Sequence, residues 1–207
     1  MSDPQARRSL ANVSRETAER LDIYASLLEK WNPRINLVSK PTLKDLWSRH
    51  ILDSLQLFNL AAESATSWAD LGSGGGFPGL VVAIQAAERW PQLRVTLVES
   101  DQRKAVFLQT VMRETGIEAS VVAERIETVA PLNTDVISAR ALAPLPVLLS
   151  YAERHLASGG TALFPKGAGW RQEVKHALEH WRFRCEDIAS QTSSDGAILR
   201  LGEIERV

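Results

Sequence analysis

Asp70-Leu71-Gly72-Ser73-Gly74-Gly75-Gly76-Phe77-Pro78-Gly79 is the stretch on which the reading of this chain turns. It stands between a short apolar run near 67–71 and a helix-patterned stretch over 78–89. Glycines set this densely after a strand let backbone come close to a ligand, because they tolerate positive φ and carry no Cβ. In open α/β sheets that approach happens at the carboxyl ends of the strands. Pro78 suits the first turn of the following helix, where its missing N–H goes unused.

Outward from this turn, apolar runs at 67–71, 93–99, 119–123, 135–138 and 161–165 are interleaved with helical patterns at 78–89, 103–115, 144–156 and 170–181. The alternation predicts βαβ units and an α/β, Rossmann-like fold, a mostly parallel sheet with helices on both faces. Two last β-like runs, Phe183 to Ile188 and Ala197 to Leu201, flank Ser193-Ser194-Asp195-Gly196 and predict a C-terminal antiparallel hairpin at the sheet edge. Upstream, Ser14 is placed to cap a helix whose apolar residues Leu21, Tyr24, Leu27, Leu28 and Trp31 recur at spacings of three and four, ending at Asn32-Pro33. A second helix is expected from Thr42, with Asp45 as an imperfect capping box, through Trp47, Ile51, Leu55 and Phe58. The expected organisation is an N-terminal helical extension over 1–64 and a cofactor-binding domain over 65–207.

The 207 residues are 44% hydrophobic, enough for one sizeable core. The first ten residues are polar and charged, and no segment approaches the roughly 20 apolar residues of a membrane span, so a cytoplasmic protein without membrane contact is expected. One cysteine, Cys185, can form neither an internal disulfide nor a Cys-based zinc site, and no metal is expected. With 24 Lys plus Arg against 25 Asp plus Glu, bulk charge does not announce a polyanion. A nucleic-acid surface must then be local. Residues 30–50 carry Lys30, Arg34, Lys40, Lys44 and Arg49, and residues 165–184 carry Lys166, Arg171, Lys175, Arg182 and Arg184; each reads equally well as a solvated face. The near-neutral charge and single core make a monomer the default.

Gly74-x-Gly76-x-x-Gly79 also satisfies the dinucleotide fingerprint, so an NAD-dependent oxidoreductase is a rival reading. A pyrophosphate needs bare N–H groups at a positive helix end, and a carboxylate just before the turn repels it. S-adenosylmethionine carries a cationic sulfonium and ammonium and no phosphate, so Asp70 favours that cofactor. Glu99, at the end of the second strand, is well placed to accept from the ribose hydroxyls of an adenosine in either class. Farther on, Glu124-Arg125-Ile126-Glu127 follows the third strand, where adenine lies, and Ser138-Ala139-Arg140-Ala141 follows the fourth, beside the reacting centre. A third reading is a cofactor-sensing RNA-binding module without catalysis.

If a methyl group is transferred, the residues narrow its target. Ser138-Ala139-Arg140-Ala141-Leu142-Ala143-Pro144 replaces the Asn/Asp-Pro-Pro-aromatic loop common in exocyclic amine methylation. Pyrimidine C5 methylation needs a thiolate, and Cys185 falls in a late edge-strand run. What remains includes an atom already nucleophilic at neutral pH, such as guanine N7, which needs positioning and no general base.

Six ordered blocks carry a family resemblance: Lys30-Trp31-Asn32 with Asn36-Leu37, Arg49-His50-Ile51-Leu52-Asp53-Ser54-Leu55, Asp70 to Gly79, Arg103-Lys104 with Phe107-Leu108, Ala139-Arg140-Ala141 with Ala143-Pro144-Leu145, and Lys166-Gly167. In these the chain resembles the bacterial 16S ribosomal RNA guanine-N7 methyltransferases of the small subunit, also called glucose-inhibited division protein B. Val38 departs from the Thr more usual there, and Val81-Val82 from a Pro-Leu-like pair. The resemblance implies a class I methyltransferase fold, S-adenosylmethionine as cofactor, and 16S ribosomal RNA or the small ribosomal subunit as partner, with a guanine N7 in the decoding-region loop as target. It implies cofactor contacts at Gly72, Phe77, Ile126, Glu127 and Arg140, with Ile126 and Glu127 bracketing the adenine; the reading of the glycine turn and the second strand adds Asp70, Gly74, Gly76 and Glu99 to the expected cofactor set. Arg140 and Lys166 are the expected positioning residues of the catalytic centre, and Arg34, Arg49, His50 and Lys166 the expected RNA contacts.

Overall fold

A computed structural model describes residues 13–207; the polar start of the chain lies outside the described residues. Seven strands form one sheet in the order β3-β2-β1-β4-β5-β7-β6. They are β1 (Ser67–Leu71), β2 (Arg94–Val98), β3 (Ser120–Val122), β4 (Thr134–Ser138), β5 (Leu156–Lys166), β6 (Trp181–Ala189) and β7 (Ala197–Arg206). The first five pair in parallel, and β7 runs antiparallel to both β5 and β6, which is the edge hairpin the turn-rich Ser193 to Gly196 segment predicts. Strand order reverses between β1 and β4, so a crevice opens beyond their carboxyl ends.

Side-chain parity along β1 divides the interior into two layers. Trp68 joins a cluster with Tyr24, Leu28, Leu80, Ile84, Phe107 and Val111, while Ala69 and Leu71 join one with Leu145, Leu149, Phe164 and Trp170. The first layer is covered by α1 (Arg15–Ile35), α4 (Gly79–Arg89) and α5 (Gln102–Thr115), the second by α6 (Leu145–His155) and α7 (Trp170–Ala177). Full burial of a side chain such as Phe107 contributes on the order of 2–3 kcal/mol. Because Tyr24, Leu21 and Leu28 of α1 are buried in the same cluster as the sheet, the N-terminal helix shares the main core.

Ser14 caps α1 as its position predicts, accepting from the Thr17 amide at 3.1 Å. The helix, however, runs through Pro33 to Ile35 and does not end at Asn32-Pro33. Asn36, in the left-handed region, donates its N–H to the Asn32 carbonyl, and the Asn32 side chain accepts from the Val38 amide at 2.8 Å, so the stop is set by Asn36. The single helix expected from Thr42 is three pieces: α2 (Lys40–Leu43), a π-helical turn over Trp47–Leu52, and α3 (Asp53–Phe58). Ser39 starts the first piece, its carbonyl accepting from the Thr42 and Leu43 amides, three residues earlier than the Thr42–Asp45 pattern suggests. β5 begins at Leu156, well before the 161–165 run, because Gly159 and Gly160 read as a loop yet sit where the pairing with β4 shifts register. The last helix ends at Ala177, short of 181, and Trp181 starts β6.

Candidate active site

The crevice at the strand ends is a cleft of about 1560 Å³. Its floor is the glycine turn, with Gly72, Ser73, Gly74 and Phe77 on its surface. One end is lined by Glu99, Lys104 and Glu124 to Glu127 with Tyr151; the other by Ser48 to His50, Asp53, Arg140, Lys166, Glu173 and the β6–β7 loop from Ser190 to Ser194.

The turn is fixed from beneath by Asp70. Position 70 has the parity of Trp68, so its side chain enters the layer under α4 and is completely buried. Its Oδ2 accepts from the Gly79 amide at 3.1 Å, and its Oδ1 accepts from the Ser138 hydroxyl at 2.8 Å, on the residue paired with it across β1 and β4. Trp68 Nε1 donates to the same Ser138 oxygen at 2.8 Å. Burial is the main force on this carboxyl and pushes its pKa up to about 6, against the pull of those hydrogen bonds. Asp70 therefore organises the loop and does not line the cleft, a correction to its expected contact with cofactor. Gly76 is corrected in the same way: at φ 94° it has a built Cβ 2.3 Å from Leu80 and 2.8 Å from the Tyr24 hydroxyl, so its glycine is demanded by the protein's own packing. Gly74, at φ 56°, opens on the cleft, with no atom nearer to such a Cβ than the Gly72 carbonyl oxygen at 3.7 Å.

Glu99 is held at the cleft wall by two amides. Its Oε2 accepts from Gly74 and its Oε1 from Asp101, each at 2.8 Å. That ties the end of β2 to the glycine turn. Ile126 and Glu127 line the same end, in a segment without regular structure, and the Tyr151 hydroxyl donates to the Glu127 carboxylate. That bond holds Glu127 below the usual carboxylate range and raises Tyr151 to about 12.

Arg140 is enclosed at the other end. It donates to the Arg49 carbonyl at 3.0 Å and to His50 Nδ1 at 2.6 Å, lies 3.5 Å from Asp53 Oδ2, and stacks its guanidinium over Phe77 at 5.0 Å. A guanidinium has no acceptor, so His50 Nδ1 must be the lone pair and the ring proton sits on Nε2. Burial and the adjacent Arg140 and Arg49 bring the His50 pKa down to about 3, and the ring is neutral at physiological pH. Asp53 Oδ1 accepts from Gln56 Nε2 at 2.8 Å and from the Thr192 hydroxyl at 2.7 Å, and the Gln191 amide donates to Gln56 Oε1 at 3.0 Å. The β6–β7 loop is thereby fastened to the N-terminal segment as a cleft wall. In the sequence Ser193 to Gly196 reads as a turn, and the hydroxyl-rich run from Ser190 to Ser194 is the one signal of a further role.

Lys166 lines the cleft, but its charge is already matched. Nζ donates to Glu173 Oε2 at 2.7 Å and to the Ala143 carbonyl at 3.1 Å, and the same Glu173 oxygen accepts from the Leu145 amide at 2.8 Å at the start of α6. A cation so paired braces two helix starts, its charge shared with Glu173. Arg34 is exposed in the last turn of α1 and does not line the cleft, so it is not gathered into this site. Arg49 lines it with an exposed side chain. Lys104 lines the opposite end with Arg125, which falls in the stretch the sequence places beside the adenine. Cys185 sits exposed on β6 outside the cleft lining. Among the described residues no group of three or more His, Cys, Asp or Glu could hold a metal ion, and no helix is long and apolar enough to cross a membrane.

Sheet order, terminal hairpin and a glycine turn at the strand switch point together define the class I methyltransferase fold. The O-methyltransferase from Bacillus cereus, solved in complex with SAH, superimposes with a TM-score of 0.58 at 14% identity, over 95% of this chain and 96% of that one. The family model described as rRNA small subunit methyltransferase G matches residues 17–197. Ribosomal RNA small subunit methyltransferase G of Ruegeria sp. (strain TM1040) is 53% identical over 207 residues, covering 100% of both chains. Its counterpart in Ruegeria pomeroyi is 55% identical over 196 residues, 95% of this chain and 96% of the relative. The chain belongs to the rRNA small subunit methyltransferase G family.

Proposed function

We propose that the protein transfers a methyl group from S-adenosylmethionine to N7 of a guanine in 16S ribosomal RNA, acting in the cytoplasm on the small ribosomal subunit or its RNA. The observation that carries this reading is that, among the described residues, the histidine and the buried or half-buried carboxylates of the cleft lining already hold hydrogen-bond donors. His50, the one histidine among the described residues of the lining, has its lone pair committed to Arg140; Glu99, Asp53 and Glu173 are each committed to donors, as is the exposed Glu127. Such a site suits a nucleophile that brings its own lone pair, as guanine N7 does, and works by alignment.

The residues fit the cofactor. Gly79, the first amide of α4, is already hydrogen-bonded to the Asp70 carboxylate, and the Leu80 amide donates to the Gly76 carbonyl at 2.8 Å, so this helix start offers little to the pyrophosphate of a dinucleotide. The acid Glu99 is set to hold ribose hydroxyls, Gly74 leaves room for a close approach, and Ile126 with Glu127 borders the adenine. When bound, S-adenosylmethionine supplies an electrophilic methyl carbon that needs no further activation. The chain's part is to hold guanine against it with N7 unbonded, so any Arg contact to the base falls on O6. Phosphates are gripped by Arg49 at the lip, with Lys104 and Arg125 opposite.

Purified protein is incubated with methyl-labelled S-adenosylmethionine and ribosomal RNA or small subunits from cells lacking the gene. N7-methylguanine at one position is expected by mass mapping. Label on another atom, or none on either RNA form, overturns the reading.

A further inference from the structure

Three residues on one face of α6 reach under the segment between β3 and β4. Tyr151 donates to the Glu127 carboxylate, Arg154 Nη2 donates to the Val129 carbonyl at 2.9 Å, and His155 Nε2 donates to the Ile126 carbonyl at 3.1 Å. Their spacings of three and four put them on neighbouring turns of the helix, so a single rigid element holds three points of the segment. The segment needs that support. It has no strand or helix of its own, yet Glu124, Arg125, Ile126 and Glu127 all line the cleft. His155 is entirely buried, Ile126 and Val129 are buried with α6 in the second core layer, and only Tyr151 and Glu127 meet at the cleft surface.

We propose that Tyr151 is a positioning residue for the methyl donor: it holds the Glu127 carboxylate as the acceptor that distinguishes an adenosyl from an inosyl cofactor. This rests on the reading that Ile126 and Glu127 border the adenine. A carboxylate has about four lone-pair directions, and one charge-assisted bond from a fixed phenol takes one of them and stops rotation. The remaining directions then accept from an exocyclic amine, which adenine has and hypoxanthine lacks. A site built around such a donor rejects the analogue without it, because a bound base covers the Glu127 carboxylate at the cleft surface and leaves it without a partner when the amine is missing. Tyr151 is partly buried with its ring packed against the second core layer, so Tyr151→Phe removes the hydroxyl and keeps the packing.

Calorimetry with S-adenosylhomocysteine and its inosyl counterpart tests this on wild type and Tyr151→Phe. Wild type is expected to prefer the adenosyl compound, and Tyr151→Phe to bind it about tenfold more weakly while its inosyl affinity barely moves, so that the preference narrows by the same factor. In turnover the loss falls on KM for the methyl donor and not on kcat. Unchanged adenosyl affinity, or equal losses on both compounds as a merely structural defect gives, overturns the assignment of Tyr151. A wild-type protein that takes up neither compound overturns instead the cofactor reading of the cleft on which it stands.

Discussion

Asp70 reaches across the glycine turn to accept the amide of Gly79, nine residues on in sequence, with its Oδ2 at 3.1 Å. A carboxylate in that place supplies the negative charge that a helix start favours, from inside the protein and not from a ligand. The cost is desolvation, which raises its pKa from 3.8 to about 6.

That shift has a pH signature. With the folded pKa above the unfolded one, the native state binds more protons between pH 4 and 6, so this group's contribution to stability falls as pH rises through that window. The difference amounts to about 3 kcal/mol above pH 6. Asp70→Asn removes the ionisation and keeps an acceptor for the Gly79 amide. Urea unfolding at pH 4.5 and 7.5 should show the variant gaining on wild type by a few kcal/mol at the higher pH; a constant difference between the two proteins would refute the assignment.

His50 moves in the opposite sense. Its folded pKa is depressed to about 3, so the unfolded state takes up the proton first and stability is lost as pH falls from about 6.5 toward 3. Protonation also sets a second cation against Arg140, whose Nη2 is 2.6 Å from the ring. Methyl transfer should be flat in kcat/KM from pH 6 to 8, with no inflection near the ordinary histidine value. An inflection there that disappears in His50→Gln would show a titrating ring and sink this account.

How much of this could be read from residues alone follows a physical line. Strand and helix alternation is a local periodicity, so sheet, hairpin and glycine turn were legible, as was Glu99 at the end of β2. Direction was harder. That Asp70 faces α4 and not the cleft follows from its parity with the buried Trp68, a signal present in the sequence but outweighed by the glycine pattern around it. The ties Tyr151–Glu127, Thr192–Asp53 and Lys166–Glu173 were not legible, because the first two join segments 24 and 139 residues apart and the third needs the loop after β5 to turn back on itself.

The glycines of the turn separate packing from ligand contact. Gly76→Ala meets Leu80 and Tyr24 at distances no Cβ tolerates, on a backbone with φ 94°, and should lower stability by about 3 kcal/mol or more. Gly74→Ala sits in the ordinary left-handed region with its Cβ in open cleft and should cost about 1 kcal/mol. Its S-adenosylhomocysteine affinity should nonetheless drop at least about tenfold, because the methyl group occupies the approach to the backbone. Thermal melts and calorimetry on the two variants check this, and equal affinity losses per unit of lost stability would argue against it.

Salt dependence should divide Arg49 from Lys166. Each phosphate contact contributes about 0.7 to 0.9 to the slope of log affinity against log salt. Arg49 is an exposed cation at the cleft lip, whereas Lys166 is locked to Glu173, its side chain only 9% exposed. Arg49→Ala should therefore flatten the slope for ribosomal RNA by about one contact with little change in melting temperature. Lys166→Met should leave the slope nearly unchanged while destabilising the fold by about 2 kcal/mol, because Glu173 then keeps a partly buried charge with its main partner gone. Filter binding from low to moderate salt reads the slopes, and a flattened slope for Lys166→Met in a folded protein would return that lysine to the RNA interface.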